Sequence, residues 1–346
     1  MTNSNVIAID LAKDVFEVCI VSKAGKVLTR KTLSRKELLK FMAKQKQATV
    51  AIEACGGSHY WARRFTEWGH DIMIIPTKVV TPYRQGQKTD RNDALAIAEA
   101  ASRPEIRTVA MKSIDQQSLQ SMLRIREHLS QALTSTSNMI RGLLMEFGIT
   151  FRKGFASLKK QIPLVLEDAE NEFPMPFRHE LNRVWQYWQT LEKTLQDSDK
   201  QLRGQANTIE PCKRLQEIEG IGPVNAIILF VLLGDGSGFR NGREASAYIG
   251  ATPKQHSSGG KVVLLGISKH TGHRKERSSL IQGARSVVHK SCCGDTAKGK
   301  WLRGVIERSG HGKASVALVN KNIRQAWAVL SSGEAYDTEK TTAKAA

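Results

Sequence analysis

An α/β fold followed by a mostly helical remainder is what this 346-residue sequence predicts. Three patterns carry the expectation. Short apolar runs alternate with helix-spaced stretches up to about residue 110. Apolar residues then recur at three- and four-residue steps, with little turn chemistry, to about residue 202. Beyond Cys212, helix-forming stretches are separated by glycine-containing turns. At roughly 100–200 residues per domain, this length calls for two or three domains.

The N-terminal elements follow in order. Val6–Ala12 is a short apolar run, and Val15–Lys23 alternates with period two. Ala24-Gly25 makes a turn, and Lys26–Leu33 returns as a third strand. Glu37–Gln45 has helical spacing, Ala48–Ala54 reads as a buried strand, and a helix covers His59–Trp68. Asp71–Pro76 is the fifth strand, and the alanine-rich Arg91–Arg103 is helical. An early meander followed by crossovers implies a mixed sheet with helices packed on it.

In the middle region Leu119, Met122, Leu123, Leu129, Leu133, Ile140 and Leu143 form one apolar series. A second comprises Leu181, Val184, Trp188, Leu191, Leu195 and Leu202, after a break at Phe173–Pro176. Two long helices with such a seam make either a coiled-coil oligomerisation arm or an intramolecular helical hairpin. Farther on, Glu219–Gly222 separates two helices as a tight turn, with Pro223 suited to a first helical turn. A last helix covers about Ser315 to Leu330, and the terminal residues are polar. The organisation expected is 1–110, 111–208, 209–331 and a flexible tail at 332–346.

Charge bears on partners. Fifty-two Lys and Arg against 33 Asp and Glu leave a formal charge of +19, which favours a polyanion, nucleic acid first and an anionic membrane surface second. The first residues lack a signal-peptide pattern, and the longest apolar run, from Ala226, is about half a membrane span. Five scattered cysteines are a poor disulfide framework and form no zinc-binding pair. The expected setting is a reduced cytoplasm, against the nucleoid.

Asp10 and Glu53 each close an apolar strand, where a carboxylate is costly unless paired or metal-bound. Asp90 and Asp93 lie three apart, so a helix puts both on one face. Taken singly, Asp90 reads as an N-cap, Asp93 as a first-turn acid and Asp10 as a solvated strand-end charge. As a set on this plan of strands and helices, they resemble the RNase H-like (RuvC-like) nucleases. There, four carboxylates gather on one sheet edge, and hard oxygen ligands favour Mg²⁺, with Mn²⁺ as the alternative. Toward the C-terminus, the Gly220 and Gly222 turn resembles a helix-hairpin-helix able to hold a phosphate. The segment His256–Gly260 reads as a glycine-rich loop with two adjacent serines. Lys254, His256, Lys261, Lys269, His270, His273, Arg274 and Lys275 surround it. A serine among cations can attack a phosphate, and the same cations can serve as a DNA-backbone patch.

Asp10-x-x-Lys13-Asp14, the run from Ile52 to Gly57, Lys88–Ala94, the GIGP turn, Tyr248–Lys261 and Ile267-Ser268-Lys269 with Arg274 together resemble the DEDD transposases of bacterial insertion sequences. That family is related to the Piv invertases and includes the bridge-RNA-guided recombinases. The likeness runs from about Val6 to Leu330, and Ser257–Lys261 is similar to the subgroup with an SSGGK signature. It implies a RuvC-like domain, a coiled-coil connection and a C-terminal transposase domain. It further implies Asp10, Glu53, Asp90 and Asp93 as a metal-binding tetrad, and a serine nucleophile that forms a phosphoserine link to DNA. Alignment on the Thr-Pro and the following glycine puts that role on Ser258, with Ser257 adjacent. Nucleophile and metals would converge within or between protomers; the resemblance favours a dimer or tetramer and a non-coding bridge RNA as guide.

Two rivals remain at this point. A structure-selective nuclease needs the tetrad but not Ser258. A non-enzymatic nucleic-acid-binding protein uses the acids as caps and ion-pair partners.

Overall fold

The computed structural model describes residues 5–268, 273–290 and 297–337, which divide into two compact units, Met1–Ile114 and Asp115–Ala346. The first is a mixed α/β unit. Its strands are β1 (Val6–Asp10), β2 (Val15–Val21), β3 (Val27–Ser34), β4 (Thr49–Glu53) and β5 (Asp71–Ile75), in spatial order β3-β2-β1-β4-β5. β1 pairs antiparallel with β2 and parallel with β4, and β4 pairs parallel with β5. The helices are α1 (Arg35–Ala43), α2 (Ser58–Glu67), the short α3 (Thr77–Val80) and α4 (Asp90–Ala101). α1 opens on a capping box: Ser34 donates its backbone N–H, and its hydroxyl, to Glu37 at 2.8 and 2.7 Å.

Side-chain alternation assigns the two sheet faces. Ile7, Ile9, Val50 and Ile52 bury against Leu38 and Met42 of α1 and Trp61 and Phe65 of α2. Val6, Ala8, Ala51 and Ile75 bury against Ala94, Ala96, Ile97 and Ala98 of α4. Strands covered on both faces read as continuous apolar runs, which is why β1 and β4 lack a polar alternation. Small alanines let α4 lie close to the sheet.

The second unit is helical apart from one hairpin. It contains α5 (Ile114–Met145), α6 (Phe155–Glu167), α7 (Met175–Thr208), α8 (Glu210–Gln216), α9 (Pro223–Leu233) and α10 (Gly242–Ile249). The hairpin strands are β6 (Pro253–Ser258) and β7 (Lys261–Ile267); α11 (Arg274–Lys290) and α12 (Ala297–Ser332) follow, α12 being broken at Gly310 (φ 78°, ψ 164°). The apolar run from Ala226 is the buried helix α9, and no helix among the described residues is long and apolar enough to cross a membrane.

Of the two readings of the middle seam, the structure displays the intramolecular one. Trp188 is fully buried and Leu191 nearly so, among Leu133 and Ile140 of α5 and Leu158 and Ile162 of α6. Trp185 stacks on Trp188 with ring centroids 5.1 Å apart. A charge at Trp188 is therefore expected to destabilise this helical module. The stripe expected on α5 shifts by one residue at its end: Leu144 is buried, whereas Leu143 is exposed.

One close approach fixes the C-terminal core. Gly220 adopts φ +93°, and a Cβ at Gly283 of α11 would stand 2.4 Å from the Gly220 carbonyl oxygen and 2.6 Å from Asn225 Nδ2. Gly283→Ala should therefore destabilise the second unit by about 1–3 kcal/mol or more, as overpacking of a rigid backbone contact does. A thermal melt checks it; an unchanged midpoint would mean that α11 can shift freely.

Candidate active site

The acidic site is built by strand parity. Asp10 follows Val6 and Ala8 on the α4 face of β1, and Glu53 follows Ala51 on the same face of β4. Ile9 pairs with Ile52 in parallel register, so Asp10 and Glu53 come next at the carboxyl ends of adjacent strands. α4, which packs on this face, carries Asp90 and Asp93 in its first turn. Its N-cap is Thr89, whose Oγ1 accepts the Asn92 N–H at 3.3 Å, so Asp90 is the first helical residue and not the cap.

These placements put Asp93, Asp90 and Glu53 in electrostatic reach of Asp10. Burial raises the Asp10 carboxyl from 3.8 to about 6; Asp93, Asp90 and Glu53 push the same way, and Lys88 opposes them. Asp93 is partnered: Arg84 Nη1 donates to its Oδ1 at 3.3 Å. Among the described residues, no group of three His, Cys, Asp or Glu side chains is close enough to hold a metal ion. The donor chemistry nonetheless fits a hard divalent cation, because carboxylate oxygens are its preferred ligands and added positive charge relieves the opposition that Asp93, Asp90 and Glu53 raise to the ionisation of Asp10. Beside them, burial, then Glu53 and Asp10, push the Cys55 thiol up to about 11, so it is protonated and a poor nucleophile at neutral pH.

Ser257 and Ser258 lie on a β-hairpin, not in a loop. Gly259 (φ 56°) and Gly260 (φ 77°) are its two turn residues, and positive φ at both positions suits the strand twist of a tight hairpin. The pairing separates the serines. Ser258 pairs with Lys261 and His256 with Val263, on one face; Ser257 pairs with Val262 and Gln255 with Leu264, on the other. Gln255 Nε2 donates to Ser257 Oγ at 2.7 Å, which engages that hydroxyl on its own face. Ser258 thus shares a face with His256 and, directly across, Lys261.

The hairpin is exposed along nearly its whole length and is tied down at its base. Buried Arg277 of α11 donates Nη1 to the Gly250 carbonyl at 3.2 Å and Nη2 to the Ser268 carbonyl at 2.7 Å. Those two carbonyls stand just before and just after the hairpin. Sequence reasoning missed both Arg277 and Arg84. An arginine in a basic chain carries no mark that it is bonded to carbonyls or to a site acid.

The remaining expected contact residues divide. Lys254, His256 and Lys261 are exposed on the hairpin, and Arg274 is exposed at the start of α11. Lys269 lies outside the described residues. Gly220 is packed: a Cβ there would stand 3.0 Å from Val287 and 3.2 Å from Asn322, so its glycine has a structural reason. The Glu219 carbonyl accepts from Asn322 Nδ2 at 3.0 Å and from Lys298 Nζ at 3.3 Å. Gly222, by contrast, is exposed with open space around it at the N-terminus of α9.

Comparison with known proteins adds the family. A model for transposases of the DEDD, IS110 type matches residues 7–149, the stretch with all four acids, and one for the IS116/IS110/IS902 transposase family matches residues 212–298, the stretch with the hairpin. The transposase for insertion sequence element IS1111A of Coxiella burnetii is 38% identical over 336 residues, covering 97% of this chain and 92% of that protein. The chain belongs to the IS116/IS110/IS902 transposase family. A probable family 20 transposase of Pseudomonas aeruginosa is 40% identical over 96% of this chain and 99% of its own length. The pilin gene-inverting protein of Moraxella lacunata is 23% identical over 80% of this chain and 81% of that protein. This transposase therefore shares its sequence pattern with a DNA-inverting protein as well as with other transposases.

Proposed function

We propose that this transposase mobilises an insertion sequence by transesterification through Ser258 of the hairpin, and that Asp10 and Glu53 of an RNase H-like sheet, with Asp90 and Asp93 of α4, hold Mg²⁺ or Mn²⁺. The observation that carries the reading is the strand parity, which gives Asp10 and Glu53 to the α4 face beside Asp90 and Asp93. The sheet order, with one antiparallel and two parallel neighbours around β1 and β4, supports the RNase H-like assignment.

In the reaction, Ser258 Oγ forms a bond to a backbone phosphorus as one P–O bond of the DNA breaks. The serine proton leaves to a base, with His256 on the same face as the candidate, and the departing deoxyribose oxygen gains a proton. Lys261, across from Ser258, supplies positive charge to the phosphate oxygens. Rejoining reverses the step with a different deoxyribose oxygen. The divalent cation, when bound, stabilises charge on the attacking and leaving oxygens. A homo-oligomer and a non-coding bridge RNA from the element complete the assembly in this reading; the +19 charge supports polyanion binding of either kind.

The test is recombination between two plasmids, one carrying the element ends and one the target, by protein purified with its co-purifying RNA. Junction products that require RNA, divalent cation and protein together support the reading. Cleavage without rejoining would favour the water-using nuclease.

Binding has its own signature. Affinity for duplex DNA should fall with a log–log salt slope of about −0.9 per phosphate neutralised. A filter-binding titration across salt concentrations checks it, and a flat response would mean that the surplus charge does not contact phosphate.

A further inference from the structure

We propose that Arg277 is a positioning residue for strand cleavage: its guanidinium bonds the chain on both sides of the hairpin base and so sets where Ser258 meets the DNA phosphate. The inference rests on the Ser258 reading above. It starts from two bonds of one buried side chain, Nη1 to the Gly250 carbonyl at 3.2 Å and Nη2 to the Ser268 carbonyl at 2.7 Å.

β6 and β7 are exposed along nearly their whole length, and a two-stranded hairpin is marginal on its own, so its direction is set where it leaves the core. The N-terminal stem leaves from the end of α10, with Ile249 and Ala251 in the core. Asn320 Nδ2 adds a bond to the Ala251 carbonyl at 3.3 Å. The C-terminal stem is Ser268, next to Ile267, which pairs with Pro253. Arg277 joins both stems to α11, whose Leu280 and Ala284 lie in the same core. A guanidinium is a rigid planar fork, so two acceptors bonded to its two ends are held in fixed relation to each other. A buried cation is costly unless its donors are engaged. Burial, and then Arg274, press this guanidinium below its usual pKa, and the two carbonyls offset that cost. Ser258 is the last residue of β6, five positions beyond Pro253. At about 3.4 Å per residue it stands ~17 Å from the base, so a swing of about 5° there moves it by ~1.5 Å. A displacement of ~1 Å can cost ~10²-fold in rate, so the base of the hairpin governs the reaction at its tip.

The test is single-turnover adduct formation by full-length protein, with the RNA that co-purifies with it, on labelled target DNA over a range of DNA concentrations. Arg277→Gln should lower the maximal rate constant by about 10- to 100-fold, while the half-saturating DNA concentration and the final amount of adduct stay as in wild type. Hydrogen exchange should quicken over residues 253–267 and stay unchanged elsewhere. A merely structural role would do the reverse: fewer folded molecules lower the amount of adduct and leave the rate constant alone. Arg277→Lys, which keeps the charge without the fork, should fall between wild type and Arg277→Gln. It is the probe if Arg277→Gln does not fold, and a wild-type rate constant in it would then overturn the role. Ser258→Ala separates the two readings. If it abolishes the adduct while Arg277→Gln keeps the wild-type rate constant, the positioning role is overturned and the serine stands. If wild-type protein forms no adduct, or Ser258→Ala forms it normally, the Ser258 reading falls and takes the Arg277 role with it.

Discussion

Ser258→Ala is expected to abolish the covalent protein–DNA adduct while DNA binding remains. The adduct requires the Oγ that becomes bonded to phosphorus, and removing a covalent nucleophile commonly lowers turnover by ~10⁴-fold or more. Binding rests on many distributed cations, so the loss of one hydroxyl leaves it nearly unchanged. Ser257→Ala is expected to be mild. Its hydroxyl is engaged by Gln255 and lies on the hairpin face of Val262, away from His256 and Lys261. A denaturing gel of protein with labelled target DNA reads both variants. An adduct that survives Ser258→Ala but not Ser257→Ala would keep the serine chemistry and reverse the face assignment. An adduct that survives in the double variant would remove the serine chemistry altogether.

Much of this site could be read in the sequence because its elements obey local rules. A buried strand that ends in a carboxylate is visible at Asp10 and Glu53, and a three-residue spacing at the head of an alanine-rich helix is visible at Asp90 and Asp93. The face on which each acid lies follows from period two once β1 and β4 are known to be parallel neighbours. The serine segment was harder. Four exposed apolar residues, Val262 to Leu265, beside a glycine pair do not alternate as a half-buried hairpin should, so they hid the strand signal. Helix α6 escaped for a related reason: Gly154 precedes it and Pro163 lies inside it, and both act as breakers by local rules. Its Leu158 and Ile162 pack beneath Trp188, a tertiary gain that sequence spacing around residue 155 does not display. Long-range partners were the least legible. Nothing near Arg277 marks the carbonyls of Gly250 and Ser268 as its acceptors, and nothing near Arg84 marks Asp93, nine residues on.

Asp10→Asn should separate stability from function with opposite signs. Asp10 titrates near 6 in the folded chain against 3.8 for the ordinary group, chiefly through burial and then through Asp93, Asp90 and Glu53. Between about pH 4 and pH 6 the folded protein keeps a proton that the unfolded chain has released. Stability of the metal-free protein therefore falls as pH rises through that window and stays lower above it. Asparagine carries no ionisation to oppose. The variant should be more stable than wild type near pH 7 by about 1–2 kcal/mol, after solvent screening is allowed for, with the difference vanishing below about pH 4. Denaturant unfolding at a series of pH values in chelator measures this directly. The same substitution should remove strand transfer and the stabilisation that Mg²⁺ gives wild type, because a neutral amide oxygen is a much weaker partner for a divalent cation than a carboxylate. A variant that is no more stable at neutral pH would mean that neither burial nor the other three acids oppose the ionisation of Asp10. A variant that recombines normally in magnesium would mean that Asp10 holds no metal in the reaction, whatever its charge does to the fold.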